Sequence, residues 1–345
     1  MIARAELEAL AYRVWDGRTA GARMLRAALA PAAAAYGAVT AFRNRLYDAA
    51  WLAAARVPAR VVSVGNLSVG GSGKTPTALW LAERLAARGR RTAIIARGYG
   101  KRRRGVVVVG EAGRALVSPD DGGDEAVMLA QRFVGPVVTG ERRADAAALA
   151  CARFGVDTIV LDDGFQHRAL ARDADLVLAT DDAASSRVLP AGPLRETSAA
   201  LARARAVLGV DGPPPRVPGV PAFRATLRPT AVVRVTAAGW FAGPLDALAG
   251  QRLLAVAGVA RPERFVATVQ TLAPASVEVL VFPDHHPYSA RDGDRIGAAA
   301  AGRIVVTTEK DLAKLARFPT LAGLCAVRVD LVVQDAETLV DLLLC

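Results

Sequence analysis

Val61-Val62-Ser63-Val64-Gly65-Asn66-Leu67-Ser68-Val69-Gly70-Gly71-Ser72-Gly73-Lys74-Thr75-Pro76 reads as a buried strand, a glycine-rich loop and the first residues of a helix. That order builds a phosphate-binding loop. Glycines let backbone N–H groups turn inward around phosphate oxygens, and the helix N-terminus adds partial positive charge. In such a loop Gly70, Gly71, Ser72 and Gly73 cradle the phosphates, Lys74 reaches the β- and γ-phosphates, and the Thr75 hydroxyl takes one Mg2+ position. The common spacing G-x-x-x-x-G-K-[ST] wants glycine at position 68, where this chain carries Ser68. A strand-to-helix turn that binds nothing is the plain alternative. The strand in front and the Lys-Thr pair behind speak against it.

Outward from the loop, strand and helix patterns alternate, as in a mostly parallel, doubly wound sheet of the P-loop NTPase type. Strands are expected at 91–96, 135–139, 158–161, 175–179 and 206–210, with helices at 75–88, 124–133 and 142–154 and an inserted strand at 106–109. The segment 212–221 carries five prolines and reads as a linker or a covering loop. Extended segments at 223–227 and 230–235 follow. A second βαβ pattern comes next, with strands at 252–257, 277–282 and 303–307, a helix at 262–272 and another from residue 310. At 345 residues the chain is long enough for two domains. The expected division is an N-terminal helical segment at 1–58, a nucleotide-binding domain at 59–225 and a smaller α/β domain at 226–345.

The chain holds 44 basic and 33 acidic residues, a net charge of +11, which suits an anionic partner: nucleic acid, an acidic membrane surface or a phosphorylated substrate. Aromatic residues make up only 5% and are not clustered, so the stacking platforms of a single-strand nucleic-acid binder are missing. The three cysteines, Cys151, Cys325 and Cys345, fit neither a disulfide framework nor a zinc site, which points to a reducing compartment. No signal peptide is evident. Residues 27–42 carry no charge and are flanked by arginines. As a helix they extend about 24 Å, short of the ~30 Å hydrocarbon core. Two readings stand side by side: an amphipathic helix lying in the membrane interface, and an alanine-rich helix packed on the nucleotide domain.

Ile159-Val160-Leu161-Asp162-Asp163 is a buried strand ending in two carboxylates, suited to hold Mg2+ directly or through water. A solvated Asp-Asp turn is the competing reading, and the upstream phosphate loop favours the metal. Gly164-Phe165-Gln166-His167 continues it with polar groups near the γ-phosphate. Gly122-Gly123-Asp124-Glu125 enters a helix, either as a cap or to aim a carboxylate at the reacting groups. Arg97-Gly98-Tyr99-Gly100 follows a strand end, where ligands gather in such sheets. Lys101–Arg104 is a basic run suited to grip anionic headgroups, though a solvated charge run is the commoner reading. Leu189-Pro190-Ala191-Gly192-Pro193-Leu194-Arg195-Glu196 presents an arginine and a carboxylate together. Arg195 is suited to stabilise transferring phosphate charge and Glu196 to join the Mg2+ shell, or the two form a local ion pair. Phe282-Pro283-Asp284-His285-His286-Pro287-Tyr288 follows another strand. Adjacent histidines rarely share one metal, so acid–base or positioning work is favoured.

Taken in order, SVGNLSVGGSGKTP, ARGYG, GDE, LDDGFQH, LPAGPLRE, FPDHHPY and TTEKD resemble the tetraacyldisaccharide 4'-kinases of lipid A biosynthesis, and Ser68 is shared by the pattern of that family. The resemblance runs from residue 63 to residue 311. It implies an enzyme on the cytoplasmic face of the bacterial inner membrane, peripheral or monotopic, moving the γ-phosphoryl of ATP onto the 4'-hydroxyl of a tetraacyldisaccharide 1-phosphate. Carried over by motif, Lys74 and Thr75 hold phosphates and Mg2+, with Asp162 and Glu196 near the metal. Asp124 and a histidine of the DHH motif, mapped to His285 with His286 open, form the dyad that accepts the hydroxyl proton. Asp163, Gln166, Arg195 and Arg97 are then further active-site groups. One dyad member from each half places the reaction between domains. Neither a nucleic acid nor an obligate protein partner is expected.

The rival reading is a phosphate-loop switch or partitioning ATPase. The signature lysine of that group falls on Val69 here, and the DHH and LPAGPLRE segments have no task in a switch.

Overall fold

The structure is a computed structural model that describes residues 4–181, 186–236, 239–321 and 323–345. It is a mixed α/β fold in which strand pairing is mostly parallel, and its contacts divide it into two compact units. One comprises Met1–Leu85, Asp157–Thr226 and Val332–Cys345, the other Ala86–Val156 and Leu227–Leu331. Sequence reading placed 86–156 with the phosphate loop. Those residues cluster instead with 227–331, and the helix Asp124–Arg132 among them packs against Glu309–Leu315.

In the first unit the loop-bearing strand Arg60–Asn66 lies between Thr158–Asp162 and Ala174–Leu178, parallel to both. Ala206–Val210 and the start of Ala222–Thr236 extend this parallel series. Strands buried on both faces are mostly apolar, and VVSVGN and TIVLD are buried along their whole length. Register pairs Val64 with Asp162. The phosphate loop and the Asp162-Asp163 turn therefore leave the sheet at the same, carboxyl-terminal edge, where α/β sheets bind ligands.

Gly65 is fixed by this close approach. A Cβ there would stand 2.5 Å from the Phe165 Cβ and 2.8 Å from its backbone nitrogen. Phe165 anchors a cluster with Leu67, Val177, Leu194, Leu201 and Val207, and the proline-rich 212–221 adds Val217 and Val220 to it. That stretch is a covering loop.

The N-terminal residues belong to the first unit and form three helices, Arg4–Asp16, Ala20–Ala28 and Ala30–Asp48. The expected single helix over 27–42 is broken at Leu29, where the Ala-Pro step starts a new one. No single helix among the described residues is long and apolar enough to cross a membrane. Ala20–Ala28 and Ala30–Asp48, bent by 48° at their junction, pass that test only together, by length and composition.

The second unit holds two strand groups. Thr92–Ala96 pairs parallel with Val137–Thr139, on which the inserted Val107–Glu111 lies antiparallel. Ser276–Val281, Arg252–Ala257, Ile304–Thr308 and Cys325–Val333 form a parallel series in that order. The two extended segments expected at 223–227 and 230–235 are one long strand, Ala222–Thr236, with a hairpin partner at Gly239–Gly243.

Candidate active site

The phosphate loop is held from its flank. Ser68 bridges antiparallel to Leu194. The Val69 N–H donates to the Pro193 carbonyl at 2.9 Å, and the Arg195 N–H donates to the Leu67 carbonyl at 2.7 Å. An extended, paired residue needs no glycine, which explains Ser68. The same bridge delivers Arg195 to the turn after Asp162. Its Nη1 donates to both oxygens of Asp163, at 2.9 and 3.0 Å, and lies 3.4 Å from Gln166 Oε1. Lys74 Nζ stands 3.8 Å from the same Asp163 carboxylate. Asp163 adopts a left-handed backbone (φ 55°), which the two cations and the Gly164 N–H bond to Val64 hold in place.

Thr75 starts the helix Lys74–Ala87, and its hydroxyl donates to Asp162 Oδ2 at 3.1 Å. A hydroxyl and a carboxylate at a helix N-terminus are hard oxygen donors of the kind Mg2+ takes alongside phosphates and water. Among the described residues no group of three or more His, Cys, Asp or Glu side chains is assembled to hold a metal alone. A Mg2+ that completes its shell from nucleotide and water fits this set. Asn66 steers the loop, donating to the Ser72 hydroxyl at 2.7 Å and accepting at its carbonyl from Gln166 Nε2 at 2.9 Å.

Glu196 is buried. Its Oε2 accepts from Asn44 Nδ2 at 2.6 Å and from Arg203 Nη2 at 3.0 Å, and the Arg203 guanidinium lies over the Phe165 ring. Glu196 Oε1 makes no hydrogen bond among the described residues. Sequence reading missed Asn44 and Arg203. Asn44 sits on the N-terminal helix, far off in sequence, and only its burial distinguishes it. Arg43 and Trp15 add further ties, donating to the Gln166 carbonyl at 2.8 Å and the Pro190 carbonyl at 2.9 Å.

A second cluster forms in the other unit. Asp124 opens the helix Asp124–Arg132 after Gly123, whose φ of 92° disfavours any side chain and where a Cβ would crowd the Gly98 Cα at 3.1 Å. That contact seats the RGYG loop against the GDE turn. His285 Nδ1 lies 3.1 Å from Asp124 Oδ2, although the two are 161 positions apart in sequence. His285 too is left-handed (φ 57°), and the Tyr99 ring packs on it at 4.8 Å. Asp124 and His285 thus meet within one unit, where sequence reading expected one from each domain. His286 is engaged elsewhere. Its Nε2 contacts Asp292 Oδ2 at 3.1 Å, and its ring packs between Phe282 and Tyr288.

The TTEKD helix, Glu309–Leu315, packs against Asp124–Arg132 and supplies two lysines. Lys310 Nζ is 3.0 Å from Asp284 Oδ1, 3.2 Å from His285 Nε2 and 3.6 Å from Glu125 Oε1. Lys314 Nζ is 3.3 Å from Asp124 Oδ2, 3.2 Å from Asp311 Oδ1 and 3.2 Å from the His286 carbonyl. Burial opposes ionisation of Asp124, but the His285 hydrogen bond and the two lysines outweigh it and hold the carboxyl well below its usual range. For His285, burial disfavours the charged ring. The bond to Asp124 and the nearby Asp284 outweigh burial and the Lys310 charge, and the pKa moves up from 6.5. Lys310 is likewise pushed up: Glu125, Asp124 and Asp284 overcome its burial. Arg97 is exposed at its strand end.

Comparison with known proteins follows the same lines. A family model described as Tetraacyldisaccharide-1-P 4'-kinase matches residues 25–344. The tetraacyldisaccharide 4'-kinase of Anaeromyxobacter dehalogenans (strain 2CP-C) is 43% identical over 342 residues, covering 94% of this chain and 88% of the relative. That of Syntrophus aciditrophicus is 38% identical over 330 residues, with 88% of each covered. The crystal structure of LpxK from Aquifex aeolicus in complex with ATP matches with a TM-score of 0.79 at 31% identity, over 93% of this chain and 98% of that one. Sequence, fold and motif order agree, and the chain belongs to the tetraacyldisaccharide-1-P 4'-kinase family.

Proposed function

We propose the following division of roles for the reaction of this ATP-dependent tetraacyldisaccharide 4'-kinase, in which the γ-phosphoryl of ATP passes to the 4'-hydroxyl of a tetraacyldisaccharide 1-phosphate in lipid A biosynthesis. The observation that carries it is the 3.1 Å contact between Asp124 and His285, two motif residues with no reason to meet in a switch ATPase.

The nucleotide side belongs to the first unit. Backbone N–H groups of Gly70, Gly71, Ser72 and Gly73 and the helix N-terminus bind the phosphates. Lys74 and Arg195, which share Asp163 in this structure, turn to phosphoryl oxygens as charge spreads over them. Asp163 holds the two cations in place until then, and Gln166 orients Arg195. Thr75 and Asp162 would hold Mg2+, and Glu196, whose Oε1 is buried without a hydrogen bond among the described residues, is a further carboxylate for that site. Bound there, the ion neutralises phosphate charge.

The acceptor side belongs to the second unit. Asp124 takes the Nδ1 proton of His285 as a hydrogen bond, which leaves Nε2 as the basic atom to receive the sugar hydroxyl proton. Phosphoryl transfer asks for positioning and charge stabilisation more than covalent chemistry, and both clusters supply that. Membrane attachment is part of the proposal: Met24, Leu25, Val39, Phe42 and Trp51 are exposed on or just after the N-terminal helices, among arginines. This combination suits a helix pair lying on an anionic leaflet.

The test is transfer from γ-labelled ATP and Mg2+ to a tetraacyldisaccharide 1-phosphate in detergent, with Lys74→Ala as control. Labelled lipid with the wild type and none with the control is the expected outcome. ATP hydrolysis without labelled lipid would return the switch ATPase to the front.

A further inference from the structure

The dyad reading leaves one charge without a task. Lys310 places an ammonium 3.2 Å from His285 Nε2, the atom that must accept a proton, and it is largely buried there. An ammonium has only donors, so the nitrogen it faces must carry the lone pair. The other ring nitrogen, Nδ1, then bears the hydrogen and points it at Asp124 Oδ2. Lys310 is itself held by Asp284 at 3.0 Å and Glu125 at 3.6 Å, and it stands one turn from Lys314, which grips Asp124 from the same helix.

We propose that Lys310 is a positioning residue for the dyad: its ammonium occupies the Nε2 lone pair of resting His285, which keeps the ring protonated at Nδ1 alone, and it gives that lone pair up to the sugar hydroxyl when the acceptor arrives. This rests on the dyad reading above. The physical need is plain. The charged groups around His285 are Asp124 and Glu125 on one helix, Asp284 on its own loop, and Lys310 and Lys314 on the TTEKD helix. Tyr99 adds an uncharged ring, and His286, its neighbour, is committed to Asp292. Two of these carboxylates, Asp124 and Asp284, stabilise an imidazolium, which cannot accept a proton. Lys310 is the cation in contact with the ring and opposes them.

The experiment is the pH profile of kcat/KM for Lys310→Met, with Lys310→Gln as a second variant and Lys310→Arg as the charge-keeping one, together with an NMR titration of the histidine rings. The chain has only three histidines, so the His285 signal is assigned by its loss in His285→Ala. Removing the ammonium should move the acidic limb, and the His285 midpoint, up by about one pH unit. Activity near pH 6.5 should then fall about tenfold and recover at alkaline pH. Lys310→Arg should stay close to wild type. A loss equal at every pH, or an unmoved His285 midpoint in both neutral variants, overturns the proposal. Full turnover in His285→Ala sinks the dyad itself. A crippled His285→Ala beside an unmoved midpoint in Lys310→Met sinks Lys310 alone.

Discussion

Asp124 is bonded to His285 and Lys314 at once, and substituting it separates its roles. Asp124→Asn keeps the shape and removes the charge that favours the His285 imidazolium, so the ring midpoint should drop in an NMR titration while turnover falls about 10²–10⁴-fold. ATP affinity should be unchanged, since the phosphate loop belongs to the other unit. His285 also writes itself into stability. Its folded pKa is raised, so its contribution is complete below 6.5 and is lost as pH rises through the folded value. Urea midpoints should therefore decline across that window in the wild type and less steeply in His285→Ala. The sequence announced both residues through the GDE and DHH motifs, but it could not choose between His285 and His286. That choice is made by tertiary partners: Asp124 takes one ring and Asp292 the other.

Elements were legible where hydrophobic period and strand length are local properties. The strands Ala206–Val210 and Arg252–Ala257 fall where the pattern put them. Less legible was anything decided by pairing, such as the joining of two extended segments into Ala222–Thr236, or the grouping of 86–156 with 227–331. The break at Leu29 goes with Pro31 in the first turn of the next helix, a signal that an alanine-rich run hides. Two elements make sharp predictions. Ser289 and Asp292 form a capping box at the start of Ala290–Ala300, and the Ser289 N–H and hydroxyl hold the Asp292 carboxyl down to about 2. Its stabilisation is present above pH 3.8 and is lost as pH falls through about 2, and Asp292→Ala should cost about 1 kcal/mol in a thermal melt at neutral pH. Gly65→Ala pushes a methyl into Phe165 at 2.5 Å and should cost about 1–3 kcal/mol, with weaker ATP binding because the Asp163 turn moves with Phe165.

At the scale of the molecule, surface and site divide the N-terminal helices between them. The outward residues Val39 and Phe42 are three apart on one helix face, and Trp51 follows just beyond it. Replacing Phe42 and Trp51 by serine should reduce sedimentation with phosphatidylglycerol vesicles severalfold while leaving thermal stability close to wild type, because neither side chain is packed. Unchanged sedimentation would remove these residues from the membrane argument. Other residues of these helices tell a different story: Trp15, Arg43 and the buried Asn44 are bonded to Pro190, Gln166 and Glu196. That has a practical bearing on anyone preparing the enzyme. Trimming the chain back to its first strand, the usual remedy for a greasy N-terminus, would cut away the wall that seats Glu196. The product would be better behaved in buffer and poorer at its work. Soluble versions should be sought by changing the outward residues one at a time, with the helices left in place.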